Sequence, residues 1–344
     1  MSNAEMTSME RVLTTLSHRE PDRVPFFLLL TMHGAKELGL SIREYFSQAK
    51  YVIEGQCRLR AKYHHDCFYP LLYGAAEAEA FGGEIVWYED GPPNSGAPVL
   101  KKPEDILALQ VPVVDETPCL CRMLDVISGL KERAGNTVPI IGVVISPFSL
   151  PVMQMGFAAY IELLYEQPEL FARLMAVNQA FCVAWANAQF QAGATTVCYF
   201  DPLASPDMIP PEMYRRTGLE MARQCLSYFN GPACIHLGSG RCLAMVEELA
   251  KVGAVAAGVS ALDDLAAVKA ACKGKITVAG NLNGIEMRRW TPTQAEAKVK
   301  EALAAAAAGG GFILTDNHGE IPWQVSDEIL LAISAAVQQW GRSS

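Results

Sequence analysis

A single (β/α)8 TIM barrel is the fold this sequence predicts, with an N-terminal helix and an elaborated loop after the second strand. Three observations predict it. Eight short runs are continuously apolar rather than alternating, as parallel strands buried on both faces are. Stretches with helical periodicity separate most of them, and strand–helix alternation implies a parallel sheet. Each run also ends on polar, His- or Pro-bearing punctuation. In a barrel those positions share one mouth, where chemistry normally sits.

The elements follow in order. Residues 7–20 read as a helix leading into Pro21-Asp22-Arg23-Val24-Pro25, placed to cap the barrel bottom. The first run, VPFFLLL, ends near Met32-His33, and the second, DCFYPLL, ends near Tyr73. Residues 82–118 carry Gly82-Gly83, Gly91-Pro92-Pro93 and Pro103, so they are expected to form a loop with room for a small β-hairpin. PIIGVVI ends at Ser146-Pro147, TTVCYF at Asp201-Pro202, PACIHL at Gly238, AVAAGV at Ser260 and KITVAG at Asn281. Thr291-Pro292-Thr293-Gln294 offers an N-cap, a proline at the first helical position and a glutamine at N3. The alanine-rich helix that follows stops at Gly309-Gly310-Gly311. GFILTD then ends at Asn317-His318, and an amphipathic helix over 326–340 closes the ring.

One barrel domain over 5–344 accounts for most of the 344 residues, and residues 1–4 read as a tag remnant. Half the residues are hydrophobic (51%), enough for a large core. With 28 basic against 37 acidic residues the net charge is −9, which argues against a general nucleic-acid surface. No apolar run reaches the roughly 18 residues of a membrane span. The ten cysteines, many inside apolar runs such as Cys182, Cys198 and Cys234, are expected to be reduced, buried thiols of a cytoplasmic enzyme. Cys119 and Cys121 are too few to make a metal site alone.

Candidate site residues stand at the strand ends. His236 in CIHLG and His318 in TDNHGEIP are candidates for metal ligation or acid–base work, or for hydrogen bonds to neighbouring loops. Asp201 could hold a metal, accept a proton or cap the following Pro-rich turn. Cys198 lies three residues earlier, on the opposite strand face, and reads as core. Asn281 and His33 are expected to bind substrate, and Glu320 is a further candidate metal ligand. His64 and His65 precede their strand, so they are expected at the opposite end. Gly238-Ser239-Gly240 is an incomplete GxGxxG and does not predict a dinucleotide site.

Taken together, PDRVP, EAEAFGGEIVWYEDGPP, ISPFSLPVMQMG, AGATTVCYFDPLAS, AGNLNG and GGGFILTDNHGEIPW resemble the uroporphyrinogen decarboxylase superfamily over about residues 8–341. The decarboxylases of that superfamily carry an arginine-rich segment after the first strand. Here it reads LLLTMHGAKELG, without an arginine, although a substrate bearing many carboxylates wants several cationic donors. The chain looks more like the corrinoid-dependent branch, which includes cobamide:coenzyme M methyltransferases. That resemblance implies zinc held by a His-x-Cys pair after the fifth strand and a Cys after the eighth, activating a thiol acceptor. Here the His is His236, but the two Cys positions are Gly238 and His318. A zinc site would then be His236 and His318, completed by Asp201 or Glu320, harder and less negatively charged than its thiolate counterpart.

The expected function is methyl transfer between a small donor or acceptor and the cobalt of a corrinoid protein, which would arrive as a separate partner. His236, Asp201 and His318 would be catalytic. A decarboxylase or other lyase acting on a small acid is the second reading, and a non-catalytic barrel that lost its zinc site is the third.

Overall fold

The computed structural model describes residues 5–342; the expected tag remnant lies outside them. The first helix, Ser8–Leu16, is shorter than its sequence signal. Thr7 caps it, and Glu10 returns the bond to the Thr7 backbone in a capping box. The expected hairpin forms within the loop region: β1 (Ile85–Val86) pairs antiparallel with β2 (Asn94–Ser95). Six parallel strands then run in sequence order: β3 (Ile141–Ile145), β4 (Thr196–Phe200), β5 (Ala233–His236), β6 (Ala256–Gly258), β7 (Thr277–Leu282) and β8 (Phe312–Asp316).

The first two apolar runs do not become regular strands. They occupy the two remaining barrel positions as extended segments, each attached by an isolated parallel bridge, Phe26 to Leu314 and Phe68 to Ile140. Backbone bonds still carry the ring round. Phe27 N–H donates to Leu314 C=O (2.8 Å), Asp66 N–H to Phe26 C=O (2.9 Å) and Phe68 N–H to Pro139 C=O (2.8 Å). Both segments contain a proline, Pro25 and Pro70, which has no N–H to give to a ladder. That accounts for the short pairing while the path is kept.

Alternation along the strands sorts two cores. One side chain in two points inward, so Phe27, Leu29, Cys67, Tyr69, Ile141, Val143, Cys198 and Ile313 pack in the barrel interior. Their neighbours, such as Phe26, Leu28, Val144, Tyr199 and Leu314, pack outward under the helices. The capping box at Thr291 and Gln294 forms as its residues indicate, opening the helix Pro292–Ala306. The closing helix is Asp327–Trp340. Among the described residues, no helix is long and apolar enough to cross a membrane.

The barrel bottom is held by charge. Asp22 and Arg23, from the PDRVP turn, join Arg11 and Asp66 in one network. Arg11 reaches Asp22 through Nε (2.7 Å) and Asp66 through Nη1 (2.7 Å), and Arg23 reaches Asp66 (2.6 Å). Ser8 Oγ also donates to Asp66 (2.9 Å). The N-terminal helix is thereby tied to both extended segments. His64 lines the surface cleft beside this network, and His65 is buried next to Cys67, both at the end away from the mouth.

Candidate active site

Two spaces lie at and beneath the barrel mouth. The outer one is a cavity of about 210 Å³ lined by Tyr69, Glu77, Phe200, His318, Gly319 and Glu320 among others. The inner one, about 120 Å³, lies within the barrel and is lined by His236, Thr315 and small or apolar side chains. Tyr69, Phe200 and Gly319 line both. Tyr69 Oη–H donates to the Gly319 carbonyl (3.0 Å), fixing the loop at this shared wall.

His236 ends β5 and points inward, two residues after Cys234, which lines the same inner space. Gly238 N–H donates to its Nδ1 (3.0 Å). A nitrogen that accepts carries no proton, so the neutral ring carries its proton on Nε2. That Nε2 is buried without a partner. Burial, assisted by His318, pushes the His236 pKa down to about 4, so the ring is neutral near pH 7. It therefore presents a fixed N–H donor to the inner space. Leaving such a group unpaired costs about 1–3 kcal/mol, which a ligand acceptor would recover.

His318 stands on the rim instead. It is exposed, and its Nδ1 lies 2.6 Å from Ser239 Oγ. The loop presenting it is organised by Asp316, whose Oδ2 accepts from the N–H groups of His318 (2.8 Å) and Gly319 (2.9 Å). His236 and His318 thus face adjoining spaces rather than one shared space.

Asp201 is turned away from both. Its carboxylate accepts from Ser146 Oγ (2.7 Å), Ser149 Oγ (2.6 Å) and Tyr214 Oη (3.0 Å), and it lines neither cavity. Burial raises its pKa, and the three hydroxyls counter that rise. The strand alternation that placed Cys198 inward carries Asp201 into this outer network. Asn281 donates to the Ser260 carbonyl (2.9 Å) and lines a separate groove with Trp290 and Lys298. His33 is buried against Trp323, with ring centroids 6.0 Å apart, at the start of the helix His33–Leu38. The Pro322 carbonyl is nearby, but neither His33 nitrogen makes a well-aligned hydrogen bond, and burial pushes its pKa down to about 3.

The expected metal set of His236, His318 and Glu320 does not assemble. Among the described residues, no three His, Cys, Asp or Glu side chains form a group able to hold a metal ion. The chemistry of His236 agrees. Its Nδ1 lone pair is occupied by the Gly238 N–H, so a metal at Nε2 would have to displace that nitrogen's proton. A cysteine at position 238 would also strain the backbone, since Gly238 has φ +60°, although a Cβ would fit there in ordinary contact with Pro202. The residues present do not fit a zinc centre.

The outer cavity holds two acids, Glu320, expected from the sequence as a ligand, and Glu77, which the sequence did not single out. Glu77 lies in the short helix Ala76–Ala80, immediately after the second extended segment. Its Oε1 accepts from the Ile145 N–H (2.9 Å), while Oε2 is buried with no well-aligned hydrogen bond, the Trp185 side chain lying nearby. Burial pushes its pKa up to about 8. Glu320 is partly buried, bonded to Thr31 Oγ1, and also pushed up to about 8, by its surroundings and then by Asp316. The sequence signal for Glu77 was an acid flanked by Ala76 and Ala78 in AAEAEAF, just past a strand end. Two neutral carboxyl groups and one neutral imidazole thus stand near the mouth, able to donate protons or hydrogen bonds.

The family profile described as uroporphyrinogen decarboxylase (URO-D) matches residues 7–340. The chain belongs to the URO-D family. Within that family, it is 24% identical over 214 residues to the methylcobamide:CoM methyltransferase MtaA of Methanosarcina barkeri, an alignment spanning 62% of this chain and 62%, just under two thirds, of that protein. It is 26% identical over 252 residues to a uroporphyrinogen decarboxylase of Cellvibrio japonicus, covering 69% of this chain and 68% of the relative. A solved methyltransferase from Methanosarcina mazei superposes with a TM-score of 0.87 at 19% identity, covering 98% of this chain and 99% of that one. The last comparison supports the URO-D barrel as the fold.

Proposed function

We propose that this URO-D protein moves a methyl group between a small substrate and the cobalt of a partner corrinoid protein. The observation that carries the reading is the lining of the two spaces. Among the described residues, no arginine or lysine lines either the outer or the inner cavity. A tetrapyrrole bearing many carboxylates would meet Glu77 and Glu320 there and find no cation to pair with. The likeness to a methylcobamide:CoM methyltransferase is consistent with this choice, while the comparable likeness to uroporphyrinogen decarboxylases leaves the cavity lining to carry it.

The cobalt, when the partner docks, supplies the atom that takes or gives the methyl group. The chain's own residues handle the other end of the transferred bond. His236 Nε2–H is placed to donate to the substrate heteroatom as that atom gains the electron pair of its bond to methyl. A fixed donor in a dry site stabilises such developing charge without reorganising. Glu77 and Glu320, held neutral, supply protons at the outer cavity.

A decarboxylase acting on a small acid is the second reading, and Glu77 favours it. A neutral, buried carboxylic acid could protonate the carbanion left by loss of CO₂. One experiment separates the two. The protein is incubated with cob(I)alamin and small methylated compounds, and in parallel with methylcobalamin and thiols, following the cobalt absorbance bands. Uroporphyrinogen and small acids are assayed for CO₂ release. Cobalt-dependent methyl transfer is expected. Release of CO₂ with unchanged cobalt bands would replace the proposal by the second reading.

A further inference from the structure

The inner space has walls unlike those of an ordinary barrel. Interiors of this kind are usually filled by layers of Val, Ile and Leu. Here Cys198, Cys234, Ala256, Gly258 and Ala279 stand at inward positions and leave about 120 Å³ open. The N-terminal helix lines the floor with Val12, Leu13 and Leu16, of which Leu13 is half exposed. We propose that this chamber is a binding site for a small, uncharged, apolar group carrying one hydrogen-bond acceptor, with that acceptor at His236 Nε2.

Four features converge on this ligand class. An apolar cavity of about 150 Å³ takes benzene or xenon, so the chamber suits a group of roughly four to six heavy atoms. No charged side chain lines it, so an ion would lose its hydration without gaining a counter-charge. His236 is 6% exposed and its Nε2 has no partner, and Thr315 Oγ1 in the same wall is likewise buried and unpartnered. Gly258 also makes the seat for the imidazole: a Cβ there would stand 2.1 Å from His236 Cδ2. A larger residue would push out the one ring donor. A ligand arriving from the outer cavity would have to pass the wall the two spaces share at Tyr69, Phe200 and Gly319. The chamber's occupancy is independent of the reaction; that its occupant is the body of the methyl-carrying substrate rests on the methyl-transfer reading.

The test is binding to the intact protein, with no turnover involved, so a failure of methyl transfer leaves it standing. The probes are xenon, cyclopentane and tetrahydrofuran, the last two matched in size but differing by one ether oxygen. Xenon is located by anomalous diffraction, and the ring compounds are titrated by NMR. Xenon is expected beside Ala279 and His236, with both rings competing for it. His236→Phe should weaken tetrahydrofuran about fivefold relative to cyclopentane, the factor of one net hydrogen bond. Ala279→Leu should abolish binding of all three; if that variant does not fold, Ala256→Val should weaken all three. Xenon bound elsewhere or not at all, an equal response of both rings to His236→Phe, or binding untouched by filling the chamber would each overturn the proposal. So would pyrrolidinium binding as tightly as tetrahydrofuran.

Discussion

The two ends of this barrel treat their buried carboxyl groups differently, although the bottom too holds buried nitrogens without a partner, at Arg23 Nε, Arg60 Nε and His65 Nε2. At the bottom, Asp66 and Asp22 have all four carboxylate oxygens engaged, by Arg11, Arg23, Ser8 and backbone N–H groups. At the mouth, His236 Nε2, Thr315 Oγ1 and Asp316 Oδ1 are buried with no partner, and Glu77 Oε2 makes no well-aligned hydrogen bond, with the Trp185 side chain nearby. Charge at the bottom is matched within the chain and serves to hold the helix against the strands. Charge at the mouth is reduced, because burial leaves Glu77, Glu320 and the His236 imidazole neutral near pH 7, and the unmatched donors and acceptors remain for something else to satisfy. The contrast separates residues that maintain the fold from residues available for chemistry, and it can be broken at either end.

The largest expected effect is at the bottom. Asp66→Ala leaves Arg23 buried without its carboxylate partner and Arg11 with Asp22 alone, so unfolding free energy should fall by about 3–5 kcal/mol. Urea denaturation measures it, and the specific activity of whatever remains folded should be close to wild type. A loss under about 1 kcal/mol would mean that the network does not hold the fold.

At the mouth the balance should reverse. His236→Ala removes the one oriented ring donor of the inner space, so the rate of methyl transfer should drop roughly 10²–10³-fold, the scale of a deleted transition-state donor. Stability should change much less than for Asp66→Ala. His236→Gln, which keeps an N–H, should recover part of the rate. Equal losses of stability for His236→Ala and Asp66→Ala would erase the distinction between the two ends.

A smaller effect sharpens the same comparison through pH. Glu77 and Glu320 are pushed up to about 8, whereas in the unfolded chain a glutamate titrates near 4.3. Between those values the folded state holds protons that the unfolded chain has released. Stability should therefore fall as pH rises through that window and level off above it. Replacing both by Gln should remove this slope, leaving stability near wild type at about pH 5 and above it at about pH 8.5. Urea midpoints across that range check the sign. A double variant with the wild-type slope would place the titration elsewhere.

The smallest effect is expected at Asn281, which faces the outer groove. Asn281→Ala should change kcat/KM by less than about threefold, since the amide bonds only to the Ser260 carbonyl. A tenfold rise in KM would return Asn281 to the substrate site.

The sequence by itself determined the barrel. Continuous apolar runs, their alternation with helices and the punctuation after each run are consequences of burial and backbone geometry, and they are local enough to read one run at a time. It also identified His236 and His318 as strand-end groups and placed His64 and His65 at the far end. What it could not decide was where a side chain just past a strand end would turn. One residue's difference in alternation, together with the hydroxyls of Ser146, Ser149 and Tyr214, takes Asp201 out of the mouth. The proline in each of the first two runs was visible, but that each would keep only one bridge depended on its neighbours round the ring. Glu77 became notable only when folding buried it beside the last residue of β3. The tautomer of His236 was set by a backbone N–H two residues on, a contact that exists only once the chain turns at Gly238. Tertiary structure decided these points because pKa, tautomer and vacancy depend on what surrounds an atom in space, and most of those neighbours come from distant parts of the chain.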